Sequence, residues 1–285
     1  MRLFDGKKTA EKILKEIKTA IKREKLKPKM AVILVGEDEA SKIYIRLKGE
    51  AAERVGVGFE LYKYDATVAN ERIVKKIKEL NENGDIAGII VQLPLPAGLD
   101  RDKIIGAIDP RKDVDGFHAE NRRLLLEGHP VFEPVLPTAM LAAIKAALGG
   151  DLPGKKAVAL VNSDIFGQTL KLVLEKEGIK FDYIVRNICS ADGTEEKLRE
   201  TDIVITVCGC PNLVTGEMIK GGAVVIDGGI YRFSDGRVRG DVNRESVENK
   251  ASFLTPVPGG LGPLVIALLL RNVYLAERRR TETKR

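Results

Sequence analysis

Ser41, Tyr44 and Lys48 stand at i, i+3 and i+7 of a stretch that reads as a helix, so a hydroxyl, a phenol and an amine share one face. A separate segment, Val91-Gln92-Leu93-Pro94-Leu95-Pro96, closes an apolar run that reads as a strand and puts a carboxamide at its end. An amine that is partly desolvated beside a neutral amide holds its proton less firmly and can exchange one near neutrality. A carboxylate in the amide's place would favour the charged amine. The residue types therefore suit proton transfer at Lys48 with Gln92 orienting it. Taken alone, the helix reads more readily as carrying a half-buried phenol and a snorkelling amine of no chemical role.

A second place for chemistry is the junction Val161-Asn162-Ser163-Asp164-Ile165-Phe166-Gly167, where an apolar run hands over to a helical pattern. In a doubly wound sheet such a turn presents backbone N–H groups and a helix N-terminus to a phosphate. A full G-x-G-x-x-G is absent, and only Gly167 stands where helix and strand can approach closely. An ordinary βα turn capped by Ser163 or Asp164 is an equal reading. No acidic residue follows the next strand, where a carboxylate would take the ribose 2′-hydroxyl of NAD; Arg186 ends it instead. A guanidinium there suits a 2′-phosphate and tilts the choice to NADP, with NAD as the alternative.

The elements that must position these residues alternate. A helical stripe of Ala10, Ile13, Leu14, Ile17 and Ile21 precedes a continuous apolar run over 30–35, which suits a buried parallel strand. The Tyr44 and Lys48 helix ends near Gly56; a strand over 59–64, a helix over 71–80 and a strand over 86–91 follow. Residues 109–137 read as irregular and hold four of the twelve prolines, and an alanine-rich helix covers 138–148. A second series then runs through strands at 157–161, 181–185, 203–207 and 223–227, helices at 166–177 and 195–199, and an Asp235-Gly236 hairpin turn. The last helix, 263–277, is apolar on several sides and is expected to pack back on the first series. The fold class is α/β: two α/β domains, 1–137 and 138–262, the second a Rossmann-like doubly wound parallel sheet, with a cleft between them. At 285 residues, two domains match the size at which single cores stop growing.

Composition narrows the function classes. The net charge is +6, but lysine and arginine are interleaved with glutamate along helices, as solvated faces are. The one basic cluster, Arg278-Arg279-Arg280 through Lys284-Arg285, reads as a frayed, solvated terminus, so no nucleic-acid partner is expected. The apolar run 264–270 is far short of the roughly 20 residues that span a bilayer, and the opening residues lack a signal-peptide stretch, so no membrane association and a cytoplasmic location are expected. Cys189, Cys208 and Cys210 are odd in number, and with two histidines give no zinc pattern; free thiols and no metal are expected.

Four segments together carry a resemblance: Ser41-Lys42-Ile43-Tyr44-Ile45-Arg46-Leu47-Lys48, the 91–96 strand end, Asp109-Pro110-Arg111-Lys112-Asp113-Val114-Asp115-Gly116-Phe117, and Thr255-Pro256-Val257-Pro258-Gly259-Gly260-Leu261-Gly262-Pro263. In this order and spacing they resemble the bifunctional methylenetetrahydrofolate dehydrogenase/methenyltetrahydrofolate cyclohydrolase family, nearly end to end. The resemblance implies Lys48 as catalytic lysine, Tyr44 beside it, Gln92 tuning it, and Asp115 binding the pterin, whose adjacent N–H donors a carboxylate can accept in pairs. It implies a substrate surface of Tyr44, Lys48, Val91, Gln92, Leu93, Asp115, Pro258, Gly259 and Gly260. The cofactor surface would be Val161, Asn162, Ser163, Ile165, Gly167, Arg186 and Ile230. It further implies a folate substrate, NADP, a homodimer, and a one-carbon product used in purine biosynthesis. A single activity, or the same chemistry on a methanopterin-type carrier, is the alternative.

The sequence also departs from the family pattern. Gly-Arg-Ser before Ile-Val-Gly-x-Pro is here Val161-Asn162-Ser163 before Ile165-Phe166-Gly167-Gln168-Thr169; Pro-Cys-Thr-Pro is Pro134-Val135-Leu136-Pro137; Gly-Pro-Met-Thr is Gly262-Pro263-Leu264-Val265. Cofactor contacts and the balance of the two activities are where these changes bear.

Overall fold

The computed structural model describes residues 1–186 and 189–282. In chain order the first half carries β1 (Arg2–Leu3), α1 (Gly6–Glu24), β2 (Lys29–Val35), α2 (Glu39–Val55), β3 (Gly58–Tyr64), α3 (Asn70–Glu82), β4 (Gly88–Val91), α4 (Arg101–Ile105) and α5 (Ala119–Leu126). Then come α6 (Val135–Leu148), β5 (Lys156–Val161), α7 (Asp164–Glu175), β6 (Lys180–Val185), α8 (Glu195–Arg199), β7 (Ile203–Val207) and β8 (Val224–Asp227). The hairpin β9 (Tyr231–Arg232) and β10 (Val238–Arg239), α9 (Arg244–Val247), β11 (Phe253–Leu254) and α10 (Leu261–Glu282) complete the chain. These elements make two compact units: Ala10–Val135 with Ile266–Arg285, and Met1–Thr9 with Leu136–Val265.

The first of these is built on a three-stranded parallel sheet in the order β3-β2-β4. Its central strand is apolar at every position from Met30 to Val35 because both faces are covered, and the first four of those residues are fully buried. Ile73, Ile77 and Leu80, spaced for one face of α3, pack on Ala31, Ile33, Val35 and Ile89. Tyr274 of α10 donates its hydroxyl to the Glu24 carboxylate at 3.0 Å, and Asn272 Nδ2 donates to the carbonyls of Val114 at 2.9 Å and Glu133 at 3.1 Å. The expected frayed basic terminus is corrected: α10 continues to Glu282, Arg280 forks onto Glu277 at 2.9 Å, and Arg279 stacks over the Phe132 ring while donating to the Val131 carbonyl. Lys284 and Arg285 lie outside the described residues. The segment expected to be irregular includes α5, capped by the His118 side chain.

The other unit holds a six-stranded, all-parallel sheet ordered β1-β11-β8-β7-β5-β6. The chain runs from β5 outward to β6, then returns to place β7 on the other side of β5, which is the reversal that defines a doubly wound sheet. The first nine residues, expected in the amino-terminal domain, belong here instead, because β1 pairs in parallel with β11. Both strands are two residues long, too short to show a period in sequence. The thiols also differ from expectation: Cys189 and Cys210 form a disulfide between the segments after β6 and β7, and Cys208 alone is free. Among the described residues, no helix is long and apolar enough to cross a membrane.

Candidate active site

Helix α2 follows β2 directly, so its residues sit over the carboxyl end of the small sheet. Its start is set by Asp38, whose carboxylate accepts the Ser41 N–H at 2.7 Å, and its end by Gly56 in the left-handed conformation at φ 87°. Between these caps the spacing brings Ser41 and Lys48 inward, both buried, with Tyr44 half-buried between them. Strand β4 ends at Val91, and Gln92 follows with its N–H bonded to the Ile33 carbonyl at 2.9 Å. The next bonds fix the amide's orientation. Gln92 Nε2 donates to the Leu93 carbonyl at 2.7 Å, which leaves Oε1 to accept from Lys48 Nζ at 2.8 Å.

Burial lowers the Lys48 pKa from that of an ordinary lysine, and the charge of Asp115 opposes that shift. Asp115 shows the reverse. Its carboxyl is pushed up to about 6, chiefly by burial, with Lys48 pulling it down and Asp113 pushing it further up. Tyr44 is likewise raised by burial, so it stands beside the amine as a neutral phenol. Amine, carboxyl and phenol are thus three ionisable groups held off their ordinary values, with the Gln92 amide bonded to the first.

Asp115 is held in place by residues that the sequence reading did not single out. The segment before it lies along β4, with Ile89 N–H donating to the Lys112 carbonyl at 2.7 Å. Asp113, itself buried, accepts the N–H groups of His118 at 2.8 Å and Gly116 at 3.3 Å, and Asn121 Nδ2 at 2.8 Å. Gly116 sits at φ 82°, and a Cβ there would come within 2.8 Å of Pro134 Cα, so the turn after Asp115 has room only for glycine. The signal for Asp113 was its place two residues before Asp115, but a neutral hydrogen-bonding role leaves no pattern of its own.

In the unit built on the six-stranded sheet, Val161 ends β5 and Asn162 donates its N–H to the Val207 carbonyl at 3.2 Å. Ser163 is the N-cap of α7, accepting the Phe166 N–H at 3.5 Å, and Ile165 falls in that helix's first turn. Gly167 is required by close approach: a Cβ would stand 2.3 Å from the Tyr183 ring on β6. Arg186 follows β6, with Nη2 donating to the Asp192 carbonyl at 2.6 Å and Nε buried without a partner. Ile230, after β8, is exposed. Pro258, Gly259 and Gly260 belong to the loop between β11 and α10, closed by a Gly260 N–H to Pro256 carbonyl bond at 2.8 Å. Among the described residues, no group of three or more His, Cys, Asp or Glu is placed to hold a metal ion.

Residues 4–115, which hold Tyr44, Lys48, Gln92 and Asp115, match the tetrahydrofolate dehydrogenase/cyclohydrolase catalytic domain, and residues 134–281 match the NAD(P)-binding domain of the same name. The chain belongs to this family. The bifunctional protein FolD of Desulfovibrio desulfuricans is 43% identical over 289 residues, covering 99% of this chain and 100% of the relative. Among solved structures, the FolD methylenetetrahydrofolate dehydrogenase/cyclohydrolase of Campylobacter jejuni superposes with a TM-score of 0.89 at 35% identity, over 98% of this chain and 99% of that one. The Trypanosoma brucei methylenetetrahydrofolate dehydrogenase-cyclohydrolase, solved with NADP cofactor and inhibitor, gives 0.89 at 31% identity over 98% of each chain. Within the family, the polar set around Lys48 falls in the catalytic domain and the β5–α7 junction in the NAD(P)-binding domain.

The raised Asp115 carboxyl has a consequence for stability. A carboxyl whose folded pKa lies above its unfolded value near 4 binds its proton more tightly in the native state, so its contribution falls as pH rises from about 4 through 6. Asp115→Asn removes that penalty. Allowing for the compensating attraction of Lys48, the variant is expected to gain on the order of 1–2 kcal/mol at pH 7.5 and little at pH 4.5, measured by urea unfolding at both values.

Proposed function

We propose that this protein oxidises 5,10-methylenetetrahydrofolate to the methenyl form with NADP and hydrolyses that product to 10-formyltetrahydrofolate. The observation that carries the reading is the buried Lys48 amine bonded to Gln92 at 2.8 Å within the field of Asp115. Oxidation leaves a delocalised methenyl cation, and a permanently charged lysine would repel it. An amine with a lowered pKa, held by a neutral amide, can be present in the uncharged form. In that form it takes a proton from the water that attacks the methenyl carbon and returns one to the ring nitrogen as the C–N bond opens; the remaining hydroxyl proton leaves through the amine to solvent as the formyl C=O forms. Tyr44, kept neutral by burial, closes the apolar side of the amine without competing for its proton.

Asp115 is assigned to the pterin edge, where its carboxylate accepts adjacent N–H groups. Asp113 and Gly116 fix its direction, and substrate contact replaces the hydration that burial removed. Val91 and Leu93 flank the amide, and the loop at Pro258, Gly259 and Gly260 lets backbone approach a flat ring. When bound, NADP supplies the acceptor for a hydride from the methylene carbon. The residues present suit it: α7 opens at the carboxyl end of β5, where a helix N-terminus favours an anion, and Arg186 holds a buried Nε that a 2′-phosphate would satisfy. Val161, Asn162, Ser163, Ile165, Gly167 and Ile230 would form the rest of that surface. The same reading makes the protein a cytoplasmic homodimer with a folate as its small-molecule partner, its 10-formyl product serving purine synthesis.

Mixing purified protein with methylenetetrahydrofolate and either nicotinamide cofactor tests the activity; no absorbance change with NADP or NAD would refute it. Lys48→Met is expected to abolish hydrolysis of methenyltetrahydrofolate while NADP binding stays near wild type, and hydrolysis at the wild-type rate would remove Lys48 from the mechanism. Arg186→Ala is expected to weaken NADP about tenfold more than NAD, as loss of a charged hydrogen bond to phosphate requires. Equal weakening of both cofactors would mean that the guanidinium does not read the 2′ position.

A further inference from the structure

In a doubly wound sheet, ligands enter the crevice at the carboxyl ends of the two strands where the winding reverses. Here those strands are β5 and β7, so the walls are the turn at 162–163 and the turn Cys208-Gly209-Cys210. The sequence marked Cys208 and Cys210 of the second wall only as thiols, not as part of a cofactor surface. It is held from behind by one buried side chain, Asp241, which lies just after β10. The Asp241 carboxylate accepts the Cys208 N–H at 2.7 Å, the Cys210 N–H at 2.6 Å and the Thr206 hydroxyl at 2.7 Å. Both flanking amides of the turn are therefore directed inward, and Gly209 forms its apex with φ 75°.

Asp241 is in turn placed by a second buried carboxyl. Asp227, at the end of β8, accepts the N–H groups of Asp241, Val242 and Gly229, each at 3.0 Å. The two carboxyls fit only because the adjoining residues lack side chains. A Cβ on Gly240 would stand 2.0 Å from the Asp227 carboxylate, and one on Gly229 would stand 2.1 Å from that of Asp241. All six named donors are neutral. Asp227 reflects that cost: burial, and then the charge of Asp241, push its carboxyl up to about 7. Two neighbouring buried carboxyls are an expensive way to cap loops. They set the geometry of the 208–210 turn and of the 229–230 segment beside it, where the Ile230 carbonyl lies 3.5 Å from a Cβ built on Gly209.

We propose that Asp241 is a positioning residue for the nicotinamide dinucleotide, fixing through the Cys208 and Cys210 amides the wall of the switch-point crevice against which the cofactor lies. This inference rests on the reading that NADP binds at the carboxyl end of this sheet. It separates from a general packing role because hydrolysis of methenyltetrahydrofolate is assigned to Lys48 and Gln92, which belong to the other unit, and needs no cofactor.

The test compares Asp241→Asn and Thr206→Val with wild type in NADPH fluorescence titration, dehydrogenase kinetics and hydrolysis of preformed methenyltetrahydrofolate. Asp241→Asn keeps the shape but turns an amino group toward N–H donors. It is expected to raise the Kd and KM for the cofactor about 10- to 100-fold while kcat and the hydrolase rate stay within about twofold of wild type. Thr206→Val removes one donor without touching the turn, and a smaller rise, about three- to tenfold, is expected. Unchanged cofactor affinity in both variants overturns the inference. If Asp241→Asn loses hydrolase activity and thermal stability together, Thr206→Val decides alone, and an unchanged Kd in that variant is then sufficient to overturn it. Wild-type protein that binds neither NADPH nor NADH would remove the cofactor reading itself, and this inference with it.

Discussion

The bond between Lys48 and Gln92 makes sense only in the environment that surrounds it. In water a lysine prefers its charge by several orders of magnitude at neutral pH, and a carboxamide does nothing to alter that. Burial changes the balance, because the ammonium loses hydration that one neutral oxygen cannot replace. Asp115 then restores part of the lost preference from a distance, and its own carboxyl is raised for the same reason. Each group moderates the other, the carboxyl opposing the loss of the amine's charge and the amine opposing the rise of the carboxyl. Had the amide been a carboxylate, the attraction would have locked the amine in its charged form.

The architecture of the unit built on the three-stranded sheet follows from the need to keep that pair dry and in register. The fully apolar β2 secures the centre of the sheet; α2, capped at both ends, sets Lys48 above it, and β4 delivers Gln92 beside it. Asp115 comes from a segment with little regular structure, so its position depends on a denser set of individual bonds. Asp113 gathers three donors around it, and Asn272 reaches from α10 to bind the carbonyls on either side of the turn. A buried carboxyl on an irregular segment is thus given the rigidity that a strand would otherwise supply.

Parts of this arrangement were legible in sequence because they have a period or a spacing. The apolar run at 30–35 and the stripe at Ile73, Ile77 and Leu80 express strand and helix burial directly. Tyr44 and Lys48 share a helical face whatever their role, and Gln92 closes a strand whatever it touches. Asp115 drew attention only through the resemblance, since one aspartate in an irregular segment carries no physical signal. Asp241 drew none: it stands in a glycine-rich stretch of charged appearance, and only three dimensions show that its neighbours are amides rather than water. β1 and β11 escaped notice because two residues cannot display alternation. The pairing of Cys189 with Cys210 depends on two chain segments meeting, which an odd count of cysteines and their separations do not encode.

That disulfide makes the oxidation history of a sample part of its chemistry. It staples Cys189 to the turn that Asp241 supports, inside the part of the chain that matches the NAD(P)-binding domain. Protein handled with a thiol reductant and protein handled in air are therefore two covalent species that share one sequence. Nucleotide affinities taken from them belong to different molecules, and the contrast between them isolates what the crosslink itself contributes.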